Sequence, residues 1–381
     1  MADTQFSRPV LDPADPLSAG FRDAVASVLD GFLDGQRARL AGIDPALDPL
    51  HPMARALLGG GKRIRPAGCV WGYVAAAGLP DEQTLPPLLA AAASLDLLHV
   101  SALVHDDVMD DSDLRRGLPS AHRQFERLHH DHGLIGAAEA FGRAGAILYG
   151  DLLLIWSSEL LHTAGLPTRP LADALPIIEA MRTEVTAGQF LDILAQSRPL
   201  LPGDDGADLA AAIEAAERVI EYKSARYTIQ RPCQFGARLG GADQRLLDAL
   251  AGYGSAVGRA FQLRDDLLGV FGDEQVTGKP AGDDLREGKR TVLVAHALAG
   301  LGPTDRAEFV ALFGRPDLDD DQVTRLRELI IAAGARDAVE AMIESGHAAA
   351  REAISGHDLP ITPEGRQALG ALAALAAHRT F

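Results

Sequence analysis

Cysteine and aromatic residues are scarce in this chain of 381 residues, and each shortage excludes a class of protein. There are two cysteines, Cys69 and Cys233, both in apolar helical contexts and without the spacing of metal ligands. A fold held together by disulfides is therefore excluded, and we expect two buried thiols in a reducing cytoplasm. Phenylalanine, tryptophan and tyrosine together make up 5% of the residues, whereas alanine and leucine dominate, so the composition favours helices over sheets.

Positive charge is also in deficit. The chain has 36 lysines and arginines against 53 aspartates and glutamates, which gives a formal net charge of −17. Binding to nucleic acid is therefore not expected. An anionic substrate would need a local cluster of cations, ideally helped by metal ions, to overcome the overall negative field.

Long hydrophobic runs are missing. No uninterrupted run reaches about 18 residues, so we predict no membrane span, and Asp96 and His99 interrupt the strongest candidate, residues 85–104. The N-terminus lacks the pattern of a signal peptide, and residues 1–17, which contain three prolines, are predicted to form a flexible leader. No strand-like run, tandem repeat or interdomain linker follows. The predicted fold is therefore all-α, with one domain over residues 18–381.

One long apolar helix ends in a group of carboxylates. Asp106 and Asp110 are four residues apart, so they share one helix face, with Asp107 beside them. Like charges at that spacing repel, and the carboxyl end of a helix disfavours negative charge. A divalent cation with oxygen ligands would offset both penalties. The alternative is a solvated helix end with Arg115 and Arg116 as surface partners.

A second apolar helix carries a similar group. Asp265 and Asp266 follow Phe261 and Gln262, and the stretch ends in Gly269. If the two acidic stretches face each other across a helical bundle, their carboxylates would form a site for several metal ions.

Cations are concentrated after a run of three glycines, where Lys62, Arg63 and Arg65 lie within four residues. Glycines let the backbone approach a ligand closely, so this segment reads as a phosphate-binding turn at the start of a helix. It is not a P-loop, because Arg63 follows the lysine and no strand precedes it. A basic helix cap is the alternative. Further along the chain are cations that read either as phosphate ligands or as solvated surface residues: Lys223, Lys279 and Lys289.

In this order the motifs resemble those of trans-isoprenyl diphosphate synthases, the polyprenyl synthetase family, and most of all its bacterial geranylgeranyl diphosphate synthases. The resemblance extends over about residues 55–300, and four ordered motifs are far more specific than a single DDxxD. The motifs are Gly60–Pro66, Asp106-Asp107-x-x-Asp110 with Arg115-Arg116-Gly117, Lys223-Ser224-Ala225, and Phe261-Gln262-x-x-Asp265-Asp266.

The resemblance implies an isoprenoid-synthase-type helical bundle around a central cavity, and a cytoplasmic homodimer. It implies that an allylic diphosphate (dimethylallyl, geranyl or farnesyl) loses pyrophosphate to give an allylic carbocation, which isopentenyl diphosphate then attacks. Three Mg²⁺ per active site, or Mn²⁺ in their place, would stabilise the leaving group. The implied metal site comprises Asp106, Asp107, Asp110, Asp265 and Asp266.

The same resemblance implies which residues bind the substrates. Asp106, Asp110, Asp265, Arg115 and Lys223 would be the catalytic residues. Arg115, Lys223 and Lys279 would bind the allylic diphosphate, and closure of residues 278–290, with Lys289, would exclude water. The residues implied for isopentenyl diphosphate are Lys62, Arg65, His99 and Arg116, and those that would steady the cation or diphosphate are Gln189, Ser224 and Gln262.

Two residues depart from the family pattern. Gly269 stands where the family usually has an aspartate, so we expect weaker support for the third metal ion. Ser224 replaces the commoner threonine but keeps the hydroxyl group.

The length of the product should depend on the wall of the pocket below Asp106. Ala102 and Leu98 lie one and two helical turns back on the same face, and Ser101 lies five residues back. Because Ser101 and Ala102 are small, we predict a C20 product, geranylgeranyl diphosphate, or a longer one. The alternatives are a synthase of C25 or longer products and a class I terpene cyclase. A cyclase normally carries an Asn/Ser/Glu metal motif and lacks the basic turn.

Overall fold

The computed structural model describes residues 10–200, 206–272 and 282–377. Within these ranges the chain is built almost entirely from helices, as predicted. The first part contains α1 (Ala19–Ala41), a 3₁₀ turn (Pro45–Leu47), α2 (Leu50–Leu58), α3 (Ile64–Ala77), α4 (Leu85–Met109), α5 (Ala121–Asp131), α6 (Ala138–His162) and α7 (Thr168–Gln196).

The second part begins with a continuous helical run in which a π-helical segment separates two α-helices. The elements are α8 (Gly206–Val219), the π-helical segment (Ile220–Gln230), α9 (Arg231–Leu239), α10 (Gln244–Phe271), α11 (Asp283–Glu287), α12 (Val292–Gly300), α13 (Pro303–Leu312), α14 (Asp320–Ala332), α15 (Ala335–Ala353) and α16 (Pro363–Ala377).

Local chemistry sets several of these boundaries. The hydroxyl of Ser18 accepts a hydrogen bond from the Phe21 amide and caps α1, and the carboxylate of Asp243 does the same for the Leu246 amide at the start of α10. α3 ends at Gly78, whose φ of 82° suits glycine. These residues define where α1 and α10 begin and where α3 ends.

α4 is the central helix of the bundle. Buried side chains lie all around it, and it packs against α1, α3 and α6, as expected for a helix in the core of a large domain. α10 contributes its first half to one hydrophobic cluster and its second half to another. The two acidic stretches therefore lie on helices that are fixed by the core. The prediction of a single domain over residues 18–381 stays a prediction.

The structure differs from the sequence prediction in one local feature, a two-stranded hairpin. Strands β1 (Leu114–Arg115) and β2 (Leu118–Pro119) pair antiparallel around a turn at Arg116 and Gly117. Both turn residues have positive φ, 55° and 75°, which is the requirement of the tight hairpin turn whose twist matches the strands. The prediction of no strand was therefore wrong here, because strands this short leave no alternating pattern in a sequence.

Part of the predicted leader is packed against the helices. Val10, Leu11 and Leu17 contact the hydrophobic core, and the Trp71 indole donates a hydrogen bond of 3.0 Å to the carbonyl of Pro16. Residues 1–9 lie outside the described residues, so the prediction of a flexible segment is not tested there.

Within the described ranges, two helices, α4 and α6, are long and apolar enough to cross a membrane by length and composition alone. The most apolar window of α4 is 72% buried inside the protein, which identifies it as a core helix. The corresponding window of α6 is 44% buried, so this helix also presents apolar side chains at the surface of the single chain.

Candidate active site

A cavity of about 1080 Å³ opens among α3, α4, α7, the π-helical segment, α10 and α11. Both acidic stretches reach it, Asp106 from α4 and Asp265 and Asp266 from α10. Cations from several segments line the same cavity. They are Lys62, Arg65, Arg115, Arg116, Lys223 and Lys289. The structure thus brings together residues that are more than 200 positions apart in the sequence.

The glycine-rich turn is held by two arginines. Arg63, at the start of α3, has a φ of 58° and pairs with Asp96 of α4 at 2.7 Å, and both side chains are 7% exposed. The Arg116 guanidinium reaches back from the hairpin and donates a hydrogen bond of 3.0 Å to the carbonyl of Leu57. A residue held at positive φ and fixed by a buried ion pair gives the turn a defined shape.

Arg65 connects α3 to the π-helical segment. Its guanidinium lies 4.2 Å from the ring centre of Tyr227 and donates a hydrogen bond of 2.9 Å to the Thr228 hydroxyl. His99 also contacts Tyr227, with 6.2 Å between the two ring centres and 3.5 Å between its Nδ1 atom and the tyrosine hydroxyl. Burial holds the pKa of His99 well below its usual value, and the nearby Arg65 and Arg116 add to this effect. The imidazole is therefore neutral and can donate a hydrogen bond without adding charge.

In the first acidic stretch, Asp106 lies in the middle of a polar network. Its carboxylate accepts a hydrogen bond of 2.8 Å from Gln189 and lies 3.4 Å from the Lys223 amine, which also contacts Asp192 at 2.6 Å. Burial alone would raise the pKa of Asp106, but Lys223 and Arg115 together lower it. Asp106 is therefore ionised and paired.

Asp107 differs from the expectation for a metal ligand. Its side chain is buried and accepts hydrogen bonds from the Arg115 guanidinium, one of them 2.8 Å from Nε, and it is not part of the cavity lining. Because successive helical residues point about 100° apart, Asp106 faces the cavity while its neighbour faces the hairpin. The Asp107 carboxylate therefore pairs with the Arg115 guanidinium, and its predicted role as a metal ligand stays a prediction.

Asp110 lies at the end of α4, one helical turn beyond Asp106, and like Asp107 it is not part of the cavity lining. Burial raises the pKa of Asp110 to about 6, and the negative charge of Asp106 adds to the rise. Lys289 and Lys223 lower the pKa of Asp110 but do not offset the effects of burial and of Asp106.

The second acidic stretch also contains a carboxyl group with a raised pKa. Gln262 donates a hydrogen bond of 2.9 Å to Asp266, yet burial raises the pKa of Asp266 to about 7, with added repulsion from Asp284 and Asp265. The Lys289 amine lies 3.1 Å from Asp284 and 2.6 Å from Glu287.

The π-helical segment carries Lys223 and Ser224 into the cavity, and three glycines of the flanking helices allow its position. A Cβ atom on Gly188 of α7 would overlap the backbone of Lys223, and one on Gly254 of α10 would overlap the backbone of Gln230. A Cβ atom on Gly258 would lie 2.5 Å from Cα of Ala225. The wide π turns are therefore enclosed on two sides by close backbone contacts, as at many functional sites.

The predicted pocket for the growing chain needs correction. Ala102 lines the cavity, as predicted, but Ser101 and Leu98 are not part of the lining. The Ser101 hydroxyl donates a hydrogen bond of 2.7 Å to the carbonyl of Gly150 on α6, so it points into the α4–α6 contact. Leu98 is buried in the hydrophobic core.

The structure adds residues to which the sequence analysis assigned no role at the site. Asp96 and Asp192 are acidic residues in apolar helices, and this is the signal that could have marked them as site residues. Nothing in the sequence predicted the positions of Tyr227 and Asp284. Lys279 lies outside the described residues, so its predicted role is not tested.

Known proteins are similar to this chain in sequence and in fold. The sequence profile of the polyprenyl synthetase family matches residues 48–330. A geranylgeranyl diphosphate synthase of Methanosarcina mazei is 30% identical over 276 residues, covering 70% of this chain and 75% of that protein. A geranylfarnesyl diphosphate synthase of Natronomonas pharaonis is 33% identical over 263 residues, covering 65% of this chain and 68% of that protein.

A solved structure is similar over nearly the whole chain. The geranylgeranyl pyrophosphate synthase of Corynebacterium glutamicum, crystallised with isoprenyl diphosphate and magnesium, has a TM-score of 0.88 and 39% identity, and the match covers 97% of this chain and 100% of that chain. Fold and motifs therefore define an enzyme of the trans-prenyltransferase class, which joins isoprenyl diphosphates. The chain belongs to the polyprenyl synthetase family. The all-α fold and the family predicted from the sequence are both confirmed.

Proposed function

We propose that this enzyme is a geranylgeranyl diphosphate synthase, which extends an allylic diphosphate with isopentenyl diphosphate and releases a C20 product. The observation that carries the proposal is the cavity itself, in which carboxylates of both acidic stretches lie opposite a set of cations. Such an arrangement suits two diphosphate groups, one bound with divalent metal ions and one bound by cations alone.

The carboxylates fit the metal ions that this family uses. Among the described residues, no three His, Cys, Asp or Glu side chains lie close enough together to hold a metal ion by themselves. Mg²⁺ in enzymes that act on phosphates is usually held by one or two carboxylates together with phosphate oxygens. The raised pKa values of Asp110 and Asp266 are a further sign of a fit, because a bound cation would supply the missing positive charge.

We assign the metal ions, three Mg²⁺ or Mn²⁺ per site, to Asp106, Asp110 and Asp265, with Asp266 in support. When bound, they would neutralise the charge that develops on the pyrophosphate leaving group. Arg115 and Lys223 bind the same diphosphate in this proposal, with Lys279 and Lys289 completing its contacts. Gln189, Gln262 and the Ser224 hydroxyl steady the diphosphate or the cation beside it.

Isopentenyl diphosphate binds, in this proposal, at the glycine-rich turn. Lys62, Arg65 and Arg116 supply positive charge, and the neutral His99 donates a hydrogen bond. Arginines are suited to this task because the guanidinium group can form two parallel bonds to a phosphate. The double bond of isopentenyl diphosphate attacks the allylic cation, and the proton lost afterwards passes to the released pyrophosphate.

The proposed product length rests on Ala102. This small side chain lines the cavity one helical turn before Asp106, so it leaves space for a growing chain along α4. The alternative is a C25 or longer product, and it is supported by the similarity to a geranylfarnesyl diphosphate synthase.

The test is an incubation with isopentenyl diphosphate, Mg²⁺ and one allylic diphosphate at a time, either dimethylallyl, geranyl or farnesyl. The products are dephosphorylated and identified by mass and retention time. A dominant C20 alcohol is the expected result. Products of C25 or longer would overturn the C20 assignment, and folded enzyme that extends none of the three primers would overturn the assignment of both diphosphate sites.

We also propose that the enzyme is a homodimer in the cytoplasm. The support for a dimer is a stripe of exposed apolar residues on α6, in which Phe141, Leu148 and Ile155 recur every seven residues. This spacing keeps side chains on one helix face and is typical of helix–helix contacts. Two buried cysteines with free thiols agree with a reducing compartment.

A further inference from the structure

Gly269 of α10 is in direct contact with a carboxylate from another helix. A Cβ atom on Gly269 would overlap the carboxylate of Asp284 in α11 and would lie 2.6 Å from its Cγ atom. Gly269 lies four residues after Asp265, which is one helical turn along the same face. The Asp284 side chain therefore occupies the space that a side chain at position 269 would need.

Asp284 is held in this position by its own neighbours. The Lys289 amine lies 3.1 Å from its Oδ1 atom, and the Lys289 amide donates a hydrogen bond of 3.1 Å to its carbonyl oxygen. The next residue, Leu285, is fully buried in the second hydrophobic cluster and anchors α11. Asp284 lines the same cavity as Asp265 and Asp266. Its carboxylate is thus fixed beside the second acidic stretch.

We propose that Asp284 supplies the third carboxylate of the second acidic stretch, and that Gly269 is the residue that makes room for it. The inference rests on the proposed function, because the ligand it concerns is the divalent cation bound together with a diphosphate. α10 would provide two carboxylates in this arrangement, Asp265 and Asp266, and α11 would provide the third.

A glycine inside a long helix needs a reason, because glycine favours helix less than almost any other residue. Gly269 has no positive φ to explain it, and the contact with Asp284 provides the explanation. Gly252, on the same helix, is a matched comparison, since a Cβ atom there would meet only the Cβ atom of Ala353 at 3.8 Å. Alanine fits at position 252 and displaces a carboxylate at position 269.

The test measures binding of Mn²⁺ to the full-length protein in the presence of inorganic pyrophosphate, using the electron paramagnetic resonance signal of unbound Mn²⁺. The variants are Asp284→Ala, Gly269→Ala and the control Gly252→Ala, with circular dichroism to establish that each is folded. We expect the first two to weaken Mn²⁺ binding by about 10-fold or more, as loss of supporting groups around a metal does. The control should bind as the parent does.

A double variant, here called the exchange variant, tests whether Asp284→Ala weakens Mn²⁺ binding by removing a carboxylate or by general damage to the site. In Gly269→Asp/Asp284→Ala the third carboxylate returns on α10, so binding should recover at least part of the loss seen in Asp284→Ala. In Gly269→Asp alone the two carboxylates compete for one space, so binding should be weaker than in the parent.

The outcomes distinguish a failure of this inference from a failure of the proposed function. If the parent binds Mn²⁺ with pyrophosphate and Asp284→Ala binds it equally well, the inference is wrong and the proposed function stands. The inference also fails if the exchange variant recovers nothing. If the parent itself binds no Mn²⁺ with pyrophosphate, the metal site of the proposed function fails, and the inference fails with it.

Discussion

In the cavity, cations and carboxylates neutralise one another. Lys223 lies between Asp106 and Asp192, and Lys289 lies between Asp284 and Glu287. If metal ions take the carboxylates and diphosphates take the cations, each group exchanges one partner for another of the same sign. Such an exchange avoids leaving any of these buried charges without compensation, which would be costly.

Asp110 should make the metal-free protein less stable as the pH rises. Burial raises its pKa from the ordinary 3.8 to about 6. Between these values the folded protein binds more protons than the unfolded chain, so the free energy of unfolding falls with rising pH. The variant Asp110→Asn lacks this titration. The melting temperature of the parent, measured with a chelator present, should therefore fall relative to that of the variant between about pH 4 and pH 6.

If the melting temperatures of the parent and of Asp110→Asn changed in parallel over this pH range, the prediction would be wrong. Asp113 is a suitable control, because it is an aspartate of the same segment with a side chain 76% exposed. The melting temperature of the parent should not fall relative to that of Asp113→Asn as the pH rises through this range.

At the level of single residues, the sequence was a good guide to which side chains lie together in the cavity. It was a poorer guide to the contacts that each side chain makes. Asp106, Lys223 and Arg65 all reach the cavity as expected. Asp107 and Ser101 do not, because their hydrogen-bond partners come from segments whose distance in space cannot be read from spacing along one helix. Arg115 takes the first, and the carbonyl of Gly150 takes the second.

Among the elements, the π-helical segment depends most on its neighbours. Its turns are wider than those of an α-helix, and they are enclosed by glycines of α7 and α10. The predicted all-α fold is correct in outline for this region. The sequence contains no sign of the π turns, because these depend on close contacts with glycines that lie about 30 residues away on either side.

Gly258→Ala should disturb this segment. A Cβ atom at position 258 would lie 2.5 Å from Cα of Ala225, and overpacking of this kind typically costs about 1–3 kcal/mol. The backbone next to Lys223 and Ser224 would move, so we expect lower stability together with at least a 10-fold loss of kcat. Denaturant unfolding and steady-state kinetics measure the two effects.

Gly252→Ala is the control for this prediction as well. It should raise the free energy of unfolding by about 0.5–1 kcal/mol, because alanine favours helix more than glycine does and the site has room for a Cβ atom. If Gly258→Ala proved as stable and as active as Gly252→Ala, the contact between α10 and the π-helical segment would not be as close as described.

At the scale of the whole molecule, the surface of α6 is the feature that a single chain leaves incomplete. Leu148 is 68% exposed and Ile155 is 60% exposed, although the helix is apolar enough to resemble a membrane span. A second copy of the chain would cover this face. The predicted all-α fold agrees with a helix here, but exposure of one face is a property of the folded chain and could not be predicted from composition.

Leu148→Glu should therefore convert the proposed dimer into a monomer. A charged side chain in the middle of an apolar contact loses its hydration, which costs several kcal/mol when no partner is present. Light scattering coupled to gel filtration measures the mass directly. Ile43→Glu is the control, because Ile43 is 69% exposed but lies in the connection after α1. A parent protein that already runs as a monomer, or a Leu148→Glu variant that remains a dimer, would refute the proposed interface.

The hairpin that carries Arg115 and Arg116 has a consequence for how such enzymes diversify. Arg115 contacts Asp107 at the end of α4, whereas Arg116 reaches back to the glycine-rich turn. Under the proposed roles, one peptide unit thus fixes the spacing between the two reacting headgroups. Ala102, which borders the hydrocarbon tail, is not part of that connection. Substitutions at Ala102 can therefore change the length of the product while the spacing between the two diphosphate groups stays the same.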